Sequence, residues 1–261
     1  MFEHHEQAIN KFKEKMSGRE DILALLVSGS IAHGFAKASS DVDVMLIVSD
    51  ENYLRRRVTG ELTYWENEST AYESGYVDGK YVSEAFLRQV AAKGSEPARF
   101  AFEGAMPVFS KLDGLEELLA DIVRYPVEQK QKNIARFMAQ LEAWRWYAEE
   151  ARKHENLYLL RHSVNQLILF GGRLILAHNE ILYPYHKWFL KVLEQAPQQP
   201  SGLMQVINDI LREPAAEQVE AFYQSIKSFA AWGTDGLDWP ARFMEDSELN
   251  WLHDFTPIGD L

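Results

Sequence analysis

LLVSGSIAHGFAKASSDVDVMLIVSD, residues 25–50, sets a polar loop between two apolar runs. The first run, residues 22–28 (ILALLVS), closes on Gly29-Ser30, and the second, residues 41–48 (DVDVMLIV), opens on two aspartates one residue apart. Short stretches rich in Val, Ile and Leu and bounded by turn-forming residues predict buried strands. Side chains alternate across a strand, so Asp41 and Asp43 project to one side while Val42 and Val44 go to the other. Neighbouring carboxylates repel each other and resist loss of water unless a proton or a cation intervenes. A divalent ion held by oxygens resolves the conflict, and Mg2+ usually takes one or two carboxylates together with substrate phosphates. Gly29-Ser30 suits those phosphates, because glycine lets the backbone approach closely and serine adds a hydroxyl beside main-chain N–H donors. Gly34 repeats the permissive backbone a few residues on. The plainer reading, in which Ser39-Ser40-Asp41 is polar turn material, leaves the upstream Gly-Ser unexplained.

Outward from this stretch, residues 1–125 alternate between helix-like and strand-like patterns, as mixed α/β domains do. Residues 3–16 predict an amphipathic helix ended by Gly18. In residues 72–86 (YESGYVDGKYVSEAF), Asp78-Gly79 between aromatic and β-branched residues predicts a hairpin turn joining a third and a fourth strand. Beyond Pro126 helical spacing dominates. Ile134, Met138, Leu141, Trp144, Ala148 and Ala151 form one face of a long helix, residues 158–177 a second, more apolar one, and Pro184, Pro197, Pro200, Pro214 and Pro240 divide the remainder into shorter helices. Two domains are expected, residues 1–125 and residues 126–261, the second all-helical.

Composition narrows the chemistry. The chain of 261 residues has no cysteine, which excludes disulfides, thiolate metal sites and a cysteine nucleophile. Its formal charge of −12 disfavours nucleic acid as a partner and favours a small substrate. Residues 1–18 contain no continuous apolar segment of the secretory kind, and no apolar run approaches the roughly 20 residues of a bilayer span, so a cytoplasmic protein without a membrane partner is expected.

The order Gly29-Ser30, Gly34, Asp41-Val42-Asp43 and then an apolar strand resembles the signature of the nucleotidyltransferase superfamily, the DNA polymerase β-like fold. The helical second half looks like that of the aminoglycoside and lincosamide antibiotic nucleotidyltransferases. The resemblance implies an α+β nucleotidyltransferase-like N-terminal domain, a small mixed sheet with flanking helices, followed by an all-α helical-bundle C-terminal domain that closes over the nucleotide. It also implies Mg2+-dependent transfer of a nucleoside monophosphate from a nucleoside triphosphate to a hydroxyl of a small molecule, with release of pyrophosphate. Asp41 and Asp43 would share a two-metal site with a third carboxylate, for which Glu84, placed on the strand leaving the hairpin, is preferred over Asp78 at its turn. Gly29 and Ser30 would hold phosphates, and Lys187, beside a helix start expected at Tyr183-Pro184-Tyr185, would add a cation. The alternatives are transfer to a protein hydroxyl (AMPylation) and a non-catalytic nucleotide-binding relative that lost its third ligand.

Other residues carry plainer expectations. His162 and Asn165 read as a satisfied buried pair, His33 as a solvated loop histidine, and Arg55-Arg56-Arg57 as a solvated helix face. Neighbouring His4 and His5 should not share a helix face. Trp144 belongs to the core stripe, and Trp146, off the stripe, is free to stack on a ring.

Overall fold

A computed structural model describes residues 1–254, which divide into two compact units, Met1–Arg124 and a second that begins at Tyr125. In the first, the apolar runs become β1 (Ala24–Val27) and β2 (Val42–Val48), joined through the short helix α2 (Gly29–Ala32). The sheet is completed by β3 (Thr63–Glu66), β4 (Val77–Ser83) and β5 (Met106–Ser110), in the order β3-β4-β2-β1-β5. β2 and β4 run parallel and every other neighbouring pair antiparallel, so the sheet is mixed.

Alternation along β2, apolar at every position but Asp43, explains why both its faces are covered. Val44, Leu46 and Val48 meet Ala8, Phe12 and Met16 of α1 (Glu3–Ser17), the amphipathic helix that stops at Gly18. Met45 and Ile47 face the other way, with Leu87 and Val90 of α4 (Glu84–Lys93) and Leu115, Leu119 and Ile122 of α6 (Leu115–Val123). Between them lie α3 (Asp50–Thr59), capped by the Ser49 hydroxyl, and α5 (Glu96–Phe100). Arg56 of α3 is buried rather than solvated: it donates to Asp21 at 2.9 Å and lies over the Tyr81 ring at 3.7 Å. Arg55 and Arg57 keep the exposed positions expected of all three.

The hairpin expected at Asp78-Gly79 does not form. Both residues lie inside β4, and the antiparallel partner β3 begins at Thr63, before the stretch read as a hairpin. Gly79 serves packing instead of turning: a Cβ there would stand 2.6 Å from Val44 Cγ2 on the neighbouring strand.

The second unit is mostly helical. The long α7 (Lys130–Lys153) packs along α8 (Leu157–His178), and α9 (Phe189–Glu194), α10 (Leu203–Arg212), α11 (Ala216–Lys227) and α12 (Trp239–Phe243) follow. Trp144 is half-buried, its ring edge-on to His162 and Phe243, and its Nε1 donates to Gln140 at 3.0 Å. Asn165 is exposed, so it makes no buried pair with His162. Among the described residues, no helix is long and apolar enough to cross a membrane.

Two glycines in the middle of α8 would ordinarily weaken it by about 1 kcal/mol each relative to alanine. Here they admit side chains: a Cβ on Gly172 would fall 2.3 Å from Phe189 Cζ, and one on Gly171 2.6 Å from Phe222 Cζ. The overpacking cost, typically about 1–3 kcal/mol, outweighs the helix gain. Gly172→Ala is therefore expected to destabilise the protein, and a raised thermal unfolding midpoint would refute this packing argument.

Candidate active site

Hydrogen bonding at the end of β1 fixes the site's centre. Ser28 N–H donates to Asp43 C=O at 2.9 Å, extending the β1–β2 ladder by one step and placing Gly29 against Asp43. Gly29 has a φ of +62°, and a Cβ on it would lie 1.9 Å from Asp43 Oδ2. Backbone conformation and the approach of a carboxylate therefore both require glycine here. Ser30 follows, 7% exposed, and its buried Oγ has no hydrogen-bond partner among the described residues. A buried hydroxyl without a partner is costly in a protein alone, and an anionic oxygen or a bound cation's water would satisfy it. Gly34, at φ +71°, closes the turn after α2 with open space around it.

On the other side of β2, the parallel register pairs Asp43 with Asp78. Ligand oxygens of Asp41, Asp43 and Asp78 all lie within 4.8 Å of one another, with Asp41 and Asp43 half-buried and Asp78 exposed. Three carboxylates at that spacing are an oxygen donor set of the kind Mg2+ takes. Nearby charge responds accordingly. The neighbouring Asp41 carboxylate raises the pKa of the Tyr76 hydroxyl. The Lys80 ammonium, two residues beyond Asp78 on the same strand face, has its pKa lowered by loss of water, while the charge of Asp43 pulls the other way.

The structure sets Gly29 against Asp43, with Ser30 next in the turn, and gathers Asp41 and Asp43 with Asp78, whereas Glu84 stands apart from that group. Glu84 follows Ser83, the register partner of Val48, so it lies at the far end of β4, about 20 Å along the strand from Asp78. It opens α4, not a strand, and pairs with Arg88 at 2.5 Å. Lys187 belongs to the second unit, in a turn before α9; the helix begins at Phe189 rather than at Tyr183-Pro184-Tyr185. Its ammonium sits 5.1 Å from the Trp188 ring centre. Sequence reasoning did not single out Tyr76 and Lys80; their alternation with Asp78 was the available signal, hidden by reading that aspartate as a turn.

Histidines brace the loop that carries these residues. His4 Nε2 contacts Ala38 C=O at 2.8 Å and His5 Nε2 contacts Ser40 C=O at 3.1 Å, with the two rings only 4.3 Å apart despite adjacent positions on α1. His5 is fully buried, its Nδ1 without a partner among the described residues. Burial, and then the charge of His4, lower its pKa from 6.5. His33 is likewise lowered by burial, and it stacks on Phe100 at 4.6 Å instead of standing in solvent. A histidine whose folded pKa is depressed favours the neutral form, so the stability it supports is present above the unfolded value, near 6.5, and is lost as the pH falls towards the folded one. Urea midpoints are expected to drop between pH 7.5 and 5.5, and by less in His5→Gln. An equal drop in that variant would remove His5 as a cause.

A mixed sheet that gathers carboxylates and a glycine-serine turn at one end defines a class. Residues 9–93 match the family model of the nucleotidyltransferase domain, so the first unit carries such a domain and the protein is an enzyme of the transferase class. A nucleotidyltransferase-like protein from Exiguobacterium sibiricum 255-15 is similar in structure at a TM-score of 0.49 and 12% identity, over 94% of this chain and 80% of that one. No curated protein matches the chain.

Proposed function

We propose that the protein transfers a nucleoside monophosphate from a nucleoside triphosphate to a hydroxyl of a small molecule, releasing pyrophosphate. The convergence of Asp41, Asp43 and Asp78 beside Gly29 carries this reading. These three carboxylates would hold Mg2+, at one position or at two, which when bound supplies charge neutralisation to the attacking and leaving oxygens. Ser30, whose Oγ has no partner among the described residues, would donate to a β- or γ-phosphate oxygen. The acceptor oxygen bonds to the α-phosphorus as the bond to pyrophosphate breaks, and pyrophosphate leaves with that electron pair. The hydroxyl proton passes to an Asp78 carboxylate oxygen and from there to water, since Asp78 is the exposed member of the three.

Lys187 is proposed as a triphosphate-binding cation on the strength of the resemblance to antibiotic-modifying enzymes, and an aminoglycoside- or lincosamide-like acceptor rests on the same ground. A small acceptor in a cytoplasmic setting, rather than nucleic acid, fits the charge of −12. The non-catalytic alternative drew its force from an uncertain third carboxylate, and the place of Asp78 favours catalysis over it. The test is pyrophosphate release from each of the four nucleoside triphosphates, with Mg2+ or with EDTA, across a panel of hydroxylated antibiotics and metabolites. Release that requires both Mg2+ and an acceptor is expected. Tight triphosphate binding with no release across the panel would leave a binding module instead.

A further inference from the structure

Displacement at the α-phosphorus runs in line, so the leaving pyrophosphate and the attacking hydroxyl occupy opposite sides of the reacting atom. The order of residues across the sheet end gives those sides distinct identities. Gly29 and Ser30 stand at the end of β1, Asp43 on β2, Asp78 on β4 and Trp65 on β3, each level with the next by ladder register. Strands lie about 4.8 Å apart, which puts the phosphate-holding turn on one flank of the carboxylates and Trp65 on the other. With pyrophosphate leaving over β1, the acceptor approaches over β4 and β3.

What it meets there is aromatic. Trp65 is the cross-strand partner of Asp78, so it shares that residue's face, and it is 63% exposed on an edge strand. A lone exposed tryptophan at an edge means little. This one stacks on Tyr76, with ring centres 6.2 Å apart and planes at 29°, and Tyr76 alternates with Asp78 two residues on, so both rings stand on the face of the carboxylates. The aromatic pair thereby shares a face with the carboxylate cluster and is left open to solvent above it.

We infer that Trp65 and Tyr76 form the acceptor platform, on which a ring-bearing hydroxylated molecule stacks its apolar ring face while its hydroxyl reaches over Asp78. The inference rests on the nucleotidyl-transfer reading above and adds the residues that select the acceptor. Indole and phenol faces prefer a ring's C–H face or an attached amine to an open polyol chain. Ring compounds are therefore expected to be better acceptors than acyclic ones.

The experiment compares D-glucosamine and kanamycin with glycerol and ethanolamine as acceptors, reading Mg2+-dependent pyrophosphate release by the wild type, Trp65→Ala, Trp65→Phe and Tyr76→Phe. Trp65→Ala is expected to raise the KM for ring acceptors at least tenfold while changing the KM for the triphosphate less than twofold. Trp65→Phe should restore most of the loss. Tyr76→Phe, which keeps the stacking ring and loses only the hydroxyl, should raise the ring-acceptor KM by less than Trp65→Ala does. An increase confined to the triphosphate KM, an unchanged acceptor KM in Trp65→Ala, or turnover with the acyclic compounds alone would overturn the platform and leave nucleotidyl transfer standing. Absence of release by the wild type with every acceptor and all four triphosphates would overturn the transfer reading, and the platform with it.

Discussion

Asp43→Asn is expected to lower pyrophosphate release by at least about a thousandfold, equivalent to about 4 kcal/mol of transition-state stabilisation. The substitution keeps the side chain's shape, so the close packing of Gly29 against it survives. What it removes is one negative charge from a group of three whose oxygens lie within 4.8 Å of one another. Mutual repulsion falls, and the unfolding midpoint measured in EDTA should therefore hold steady or rise. Added Mg2+ should stabilise the wild type more than the variant, because a ligand raises stability in proportion to its preference for the folded state. The rate and the Mg2+-linked midpoint thus move in ways that a structural role for Asp43 does not predict. Wild-type turnover by the variant would end the assignment of these carboxylates.

The second large effect is expected from Gly29→Ala. An L-residue held at a φ of +62° costs about 1–2 kcal/mol, and the new methyl would also stand 1.9 Å from Asp43 Oδ2 and 2.4 Å from its Cγ. Relief requires the carboxylate or the turn to move, so we expect a total loss of about 2–4 kcal/mol of stability together with a loss of turnover close to that of Asp43→Asn. A double-mutant cycle separates the two causes. Pairing Gly29→Ala with Asp43→Gly removes the colliding group, so the stability losses should be sub-additive, while activity stays absent. Additive losses in urea unfolding would show that backbone conformation alone demands the glycine.

The positions of Gly29, Ser30, Asp41 and Asp43 were legible because the forces that place them are local. Alternation puts the two aspartates on one side of a strand, and the turn after β1 is written in the glycine itself. The third carboxylate was hidden for the same reason in reverse. Asp78-Gly79 between aromatic and β-branched residues carries strong turn chemistry, yet parallel pairing with β2 and the need to clear Val44 keep it extended. Glu84 looked like a strand residue, but Ser83 caps α4 by accepting from Phe86 N–H, which ends the strand one residue earlier.

From sequence alone came the phosphate turn, the paired aspartates, the absence of thiol chemistry and the change from mixed to helical texture after Pro126. Tertiary structure decided that Asp78, and not Glu84, lies beside Asp41 and Asp43, that Arg56 is buried, and that Trp65 stacks on Tyr76. The division follows from distance along the chain. Neighbours in sequence obey strand alternation and turn preference, whereas Asp43 and Asp78 are 35 residues apart and meet through the register of two parallel strands. Burial of side chains on both faces sets that register, and no local pattern encodes it.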